Sequence, residues 1–105
     1  MIRYTTPTLK LHIKKKDGTP YDMSLVKDGY IAFSQLDKTI IEKPFSDCQI
    51  EGDAIAVFLT QEETGLCATG GVDIQAIIQN TDGTVVATNI RYTIVKKILS
   101  EKVFE

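Results

Sequence analysis

The stretch LTQEETGLCATGG, Leu59 to Gly71, decides the fold class of this chain. It opens as a helix and runs out of helix after about one turn. Thr60 and Glu63 have the spacing of a capping box, in which the threonine oxygen accepts the third backbone N–H and the glutamate reaches back to the cap. Gln61, Glu62 and Glu63 are good helix formers, and acidic groups suit the positive end of the helix dipole. Gly65 reads as the stop, since glycine takes a positive φ just past a helix end. The spacing therefore predicts one helical turn near residues 61–65, capped by Thr60, Glu63 and Gly65, with Leu59 and Leu66 tucked inward on either side. Such a turn is too short to be the crossover of a βαβ unit, which takes a dozen or more residues. It is a corner that carries the chain from one sheet to another.

Outward from this corner, alternation of apolar and polar residues dominates. In Thr8–Lys14, Leu9, Leu11 and Ile13 fall on one side and Lys10, His12 and Lys14 on the other, which is a strand with one wet face. Asp17-Gly18 and Pro20 mark a turn, Tyr21–Lys27 reads either as a short strand or as an irregular connection, and Asp28-Gly29 reads as another turn. Strands follow at Tyr30–Leu36 and Thr39–Phe45, joined by a tight hairpin at Asp37-Lys38, with Pro44 restricted to an edge or a strand end. Cys48–Glu51 and Ala54–Leu59 flank the break Gly52-Asp53. Val72–Gln79 and Thr84–Val95, the latter running to about Leu99, flank the turn Asn80–Gly83. About seven short strands with regular turn signals predict an antiparallel β-sandwich.

A length of 105 residues predicts one domain spanning 1–105. With 43% hydrophobic and 25% charged residues the composition is that of a soluble globular chain. A net charge of −2 argues against nucleic acid as a partner. The basic run Lys14–Lys16 leads straight into a turn and reads as a solvated strand end. No apolar run reaches the roughly 18 residues that span a bilayer, so no membrane partner is expected, and the first residues lack a signal-peptide layout. Cys48 and Cys67 read as two reduced, half-buried thiols, with a pairing between them left open.

No pattern spells out a chemistry, so no enzymatic activity, catalytic residue, cofactor or metal is expected. His12 is the only histidine and sits on a wet strand face. Glu62 and Glu63, read as a carboxylate pair, are neighbours that point about 100° apart on a helical turn, and no ligand cluster accompanies them. Gly65-x4-Gly70-Gly71 lacks the Lys-Ser/Thr of a phosphate loop, and the Asp-Gly pairs carry turn chemistry rather than a calcium-loop pattern. The aromatics Tyr4, Tyr21, Tyr30, Phe33, Phe45, Phe58, Tyr92 and Phe104 are scattered along the chain. A carbohydrate- or cell-surface-binding sandwich would need two or three of them clustered beside polar groups on one face. An assembly module needs only open strand edges, and the first and last strands, with Leu9, Leu11, Ile13, Ile90, Tyr92 and Ile94, are the contact elements expected.

The runs Leu59–Thr64 (LTQEET), Gly71–Ala76 (GVDIQA) and Thr81–Asn89 (TDGTVVATN) make the chain similar to small proteins from tailed-phage and prophage structural regions of Gram-positive bacteria. The chain also resembles the N-terminal Ig-like domain of phage baseplate upper proteins. Thr6–Leu11 (TPTLKL), Ile31–Gln35 (IAFSQ) and the strand after Asp82-Gly-Thr84 match the pattern of that domain, while Met23–Asp28 departs from it. The resemblance implies an Ig-like sandwich that assembles in a tail or baseplate. Its partners would be copies of itself or neighbouring tail proteins, in a virion component made in the bacterial cytoplasm.

Overall fold

The computed structural model describes residues 1–15, 18–52 and 54–99, with Asn89 and Ile90 described by their backbone alone. Seven named strands form two antiparallel sheets. The three-stranded sheet has the order β1 (Thr8–His12), β5 (Ala54–Phe58), β4 (Gln49–Glu51). The four-stranded sheet has the order β3 (Lys38–Pro44), β2 (Val26–Gln35), β6 (Gly70–Asn80), β7 (Val85–Val95). A first strand beside the fifth and a second beside the sixth is the Ig-like sandwich arrangement, with strands B-E-D facing C′-C-F-G. Ile2 adds a parallel bridge to Lys96 just beyond β7.

Alternation explains the core. In β6, Val72, Ile74, Ala76 and Ile78 are buried, and the residues between them lie on the outer face of the sheet. The facing sheet contributes Leu11, Ile55 and Val57, while Ile31, Phe33 and Ile41 fill the centre. The helix α1 (Gln61–Leu66) links β5 of one sheet to β6 of the other, so the LTQEETG stretch is a corner.

Three details differ from the sequence expectations, and one open alternative is resolved. Asp28-Gly29 is not a turn but lies inside β2, beside a register shift between Val26 and Asp28. The ambiguous segment before it is a 3-10 turn at Met23–Leu25, where Asp22 Oδ1 accepts from the Ser24 N–H and hydroxyl. The β2–β3 hairpin turns at Leu36-Asp37 rather than Asp37-Lys38. Gln35 pairs with Lys38, and the two turn residues are left-handed at φ 50° and 61°, as a two-residue hairpin turn matched to strand twist requires. Finally, β7 ends at Val95, the partner of Gly70 where β6 begins, and Lys96 bonds to the N-terminal segment instead. Pro44 closes β3, an edge strand, where its missing N–H removes no ladder bond. Lys14 bridges to Pro20, and Gly52 turns at φ 61°. Lys16, Asp17, Asp53 and Phe104 lie outside the described residues.

Candidate interaction surface

The corner is built as a capping box. Thr60 Oγ1 accepts from the Glu63 N–H at 3.1 Å, and Glu63 Oε1 accepts from the Thr60 N–H at 3.0 Å. The same carboxylate accepts from Lys43 Nζ at 2.9 Å, a bridge whose side chains are 14% and 23% exposed. Glu62 points to solvent, so the two glutamates do not share a site. Gly65 corrects the sequence reading, because it lies inside the helix rather than at a positive-φ stop. Its missing Cβ makes room for Tyr4, since a Cβ there would sit 2.5 Å from the tyrosine ring. Leu59 is buried as expected, but Leu66 is 64% exposed and does not pin the corner.

What pins it is the N-terminal segment. Thr64 is fully buried and its Oγ1 donates to Thr5 O at 2.8 Å while accepting from the Thr5 N–H at 3.1 Å. Gln61 Nε2 donates to Tyr4 O, and Arg3 donates to Gly65 O, both at 2.9 Å. Thr64→Val keeps the shape but leaves both Thr5 backbone groups without that hydroxyl. A loss of about 2 kcal/mol of unfolding free energy is expected, and a denaturation curve matching the parent would rule this out.

Burial pushes the Glu63 carboxyl up, but the bonds from the Thr60 backbone and Lys43 outweigh it and hold the group below its ordinary 4.5. A carboxyl lowered in the folded state stabilises fully above its unfolded pKa, and that stability is lost as pH falls through the folded value. Glu63→Gln removes this titration. The gap in stability between parent and variant should therefore be widest above pH 4.5 and shrink on acidification. A gap constant from pH 7 to pH 3 would exclude the carboxylate as its source.

The remaining chemical candidates stay apart. Among the described residues no group of three or more His, Cys, Asp or Glu side chains is placed to hold a metal ion. His12 is exposed on β1, and Cys48 and Cys67 are free thiols whose burial raises both above the ordinary value. No helix among the described residues is long and apolar enough to cross a membrane.

The expected contact strands divide in two. β1 and β7 both lie at sheet edges. However, Leu11 and Ile13 are 2% and 0% exposed and belong to the core, and Leu9 packs half-buried against it, so these three do not form a contact surface. At β1 Thr8, Lys10, His12 and the backbone edge face outward. Tyr92 and Ile94 are 63% and 54% exposed on the outer face of the four-stranded sheet. The side chain of Ile90 lies outside the described residues. The Tyr92 ring lies across Gly71, where a Cβ would collide with it.

Three further residues on this outer face were not singled out from the sequence. Tyr30 and Ile77 are directly paired, and Val85 lies one strand over. With Asp28, Pro44 and Gln79 they line an open recess of about 390 Å³. For Ile77 and Val85 the signal is a broken alternation. Ile77-Ile78 and Val85-Val86 are consecutive apolar pairs, and in a strand one member of each must face away from the core.

No protein-family model matches the chain, no curated protein is similar to it in sequence, and no solved structure matches it.

Proposed function

We propose that this chain is a non-enzymatic assembly module of a phage or prophage tail or baseplate. It works through protein–protein contacts with copies of itself or with neighbouring tail proteins. The observation that carries this reading is the four-stranded sheet, which ends in the long edge strand β7 and exposes Val85, Tyr92 and Ile94 beside it. Strand addition at such an edge supplies main-chain hydrogen bonds, and the flanking apolar side chains supply burial. The likeness to tailed-phage structural proteins, carried by residues 59–64, 71–76 and 81–89, supplies the setting: a virion component made in the bacterial cytoplasm, without nucleic acid or membrane as partner. Light scattering across protein concentration and salt tests it. A discrete oligomer, or association rising with concentration, supports self-assembly. A monomer throughout that also captures no tail protein would sink the reading.

The recess at Tyr30 favours a second reading, a carbohydrate- or cell-surface-binding module, because it sets an aromatic beside the Asp28 carboxylate and the Gln79 amide. The other exposed tyrosine of that face, Tyr92, is cross-paired with Asp73, whereas Tyr30 pairs with Ile77 four residues along β6, so the two rings form no common platform. A glycan screen separates the readings, and glycan binding lost in Tyr30→Ala would favour the second.

A further inference from the structure

Two sheets present four edges, and they are guarded unequally. β1 exposes Lys10 and His12, followed by Lys14 and Lys15, so an antiparallel copy of it would bring like charges face to face. β4 has three residues. β3 carries Lys38, Glu42 and Lys43, a register shift against β2, and a proline at its end. β7 is eleven residues long, has no proline, and holds one charged residue, Arg91, among mostly β-branched and aromatic neighbours. Charge and proline are the usual protections of an edge, and β7 lacks both along most of its length.

The free flank of β7 already binds main chain at one end. The Met1 ammonium donates to Ile94 O at 2.9 Å, the Lys96 N–H donates to Met1 O at 2.7 Å, and the Arg3 N–H donates to Lys96 O at 3.0 Å. From Val85 to Tyr92 no strand among the described residues covers it. Within that stretch Thr88 Oγ1 is buried yet has no hydrogen-bond partner among the described residues. A buried hydroxyl without a partner is uncommon and calls for an explanation.

We propose that β7 pairs antiparallel with β7 of a second copy of this chain, about a two-fold axis at Thr88. The proposal rests on the assembly reading above and names its edge, partner and register. On that axis Thr88 stands opposite Thr88 of the partner subunit, where two threonine hydroxyls on neighbouring strands hydrogen-bond to each other. A χ1 rotation brings this hydroxyl out to the strand edge, where its own copy satisfies it, which an arbitrary strand would not guarantee. Arg91 lies three residues from the axis and beyond the bulge at Ile90. The two arginines therefore sit on opposite sides of the axis and do not meet. The two four-stranded sheets become one, and the apolar outer faces around Val85 adjoin.

Residues paired directly across antiparallel strands have Cα separations near 4.5–5.5 Å, within the range a disulfide bridges. The test uses the full chain with Cys48→Ser, leaving the buried Cys67 as the native thiol, and adds either Thr88→Cys or, on the β1 edge, Thr8→Cys. Under mild oxidation, Thr88→Cys should give a covalent dimer at least about tenfold more abundant than Thr8→Cys, with unchanged circular dichroism. In a second arm, Ala87→Lys adds a charge beside the axis on an exposed position and should reduce the light-scattering mass from two copies to the 11.7 kDa of one. A dimer that survives Ala87→Lys, or that crosslinks through Thr8→Cys and not Thr88→Cys, overturns the β7 pairing while leaving self-assembly standing. A chain that is monomeric at every concentration overturns the pairing and self-assembly together, and a tail protein captured by that monomer would retain the assembly reading alone.

Discussion

Replacing Phe33 with alanine lowers the free energy of unfolding by about 4 kcal/mol, measured by urea denaturation. Phe33 is fully buried in β2, an inner strand with a neighbour on each side, where it pairs with Ile41 of β3 and Ile74 of β6. Removing the ring takes away its transfer free energy and leaves a cavity between two sheets. Both neighbouring strands are held by backbone ladders, so neither can move in to fill the gap independently. A domain of this size has about 5–15 kcal/mol in all, so the variant should unfold at markedly lower urea. A loss under about 1 kcal/mol would show that the sheets close over the gap, and the described packing around Phe33 would then be wrong.

Gly29→Ala should cost about 3 kcal/mol, at the upper end for overpacking, although it adds a single methyl group. A Cβ at Gly29 would lie 2.5 Å from the Phe45 ring and 2.8 Å from the carbonyl oxygen of Ile77. The ring is itself 93% buried, being 7% exposed, and the carbonyl belongs to the neighbouring strand, so neither yields without disturbing the β2–β6 ladder. Gly29 is not in the left-handed region, so the cost is steric rather than torsional. Gly52→Ala is the matching control. Gly52 turns at φ 61° with nothing within 4 Å, and alanine there should cost only about 1 kcal/mol of backbone strain. Equal losses at the two positions, read from the same denaturation assay, would reject the steric account.

Gly29 also shows where sequence reading stops. Asp-Gly between two apolar runs has turn chemistry, and at Asp82-Gly83 the chain does turn, with Gly83 at φ 90°. At Asp28-Gly29 the same dipeptide runs straight through a strand, because Phe45 from the next connection needs the space that a side chain would occupy. Gly65 repeats the lesson, absent as a helix stop and present as a seat for Tyr4. A missing side chain satisfies either requirement, and only the neighbour in space tells which.

The capping box, by contrast, was legible because its two hydrogen bonds join residues three apart. The same holds for the seven strands, since a period of two records which side of each strand faces apolar surroundings. The candidate surface was half legible. All four of Tyr92, Ile94, Leu11 and Ile13 read from the sequence as contact residues, yet Tyr92 and Ile94 are exposed while Leu11 and Ile13 are core. Alternation divides a strand into two faces without labelling them, and in β1 the apolar side had to be the inner one once a second sheet stood opposite.

By itself, then, the sequence determined the number and order of the strands, the turn chemistry at most of the corners, and the local cap at Thr60 and Glu63. These rest on interactions between residues close along the chain. Tertiary structure alone decided which strands became edges, which apolar residues stayed outside, and that Thr64 ties the corner to Thr5, 59 residues away. Those outcomes depend on long-range pairing, in which a side chain's role is set by whichever distant strand comes to lie against it.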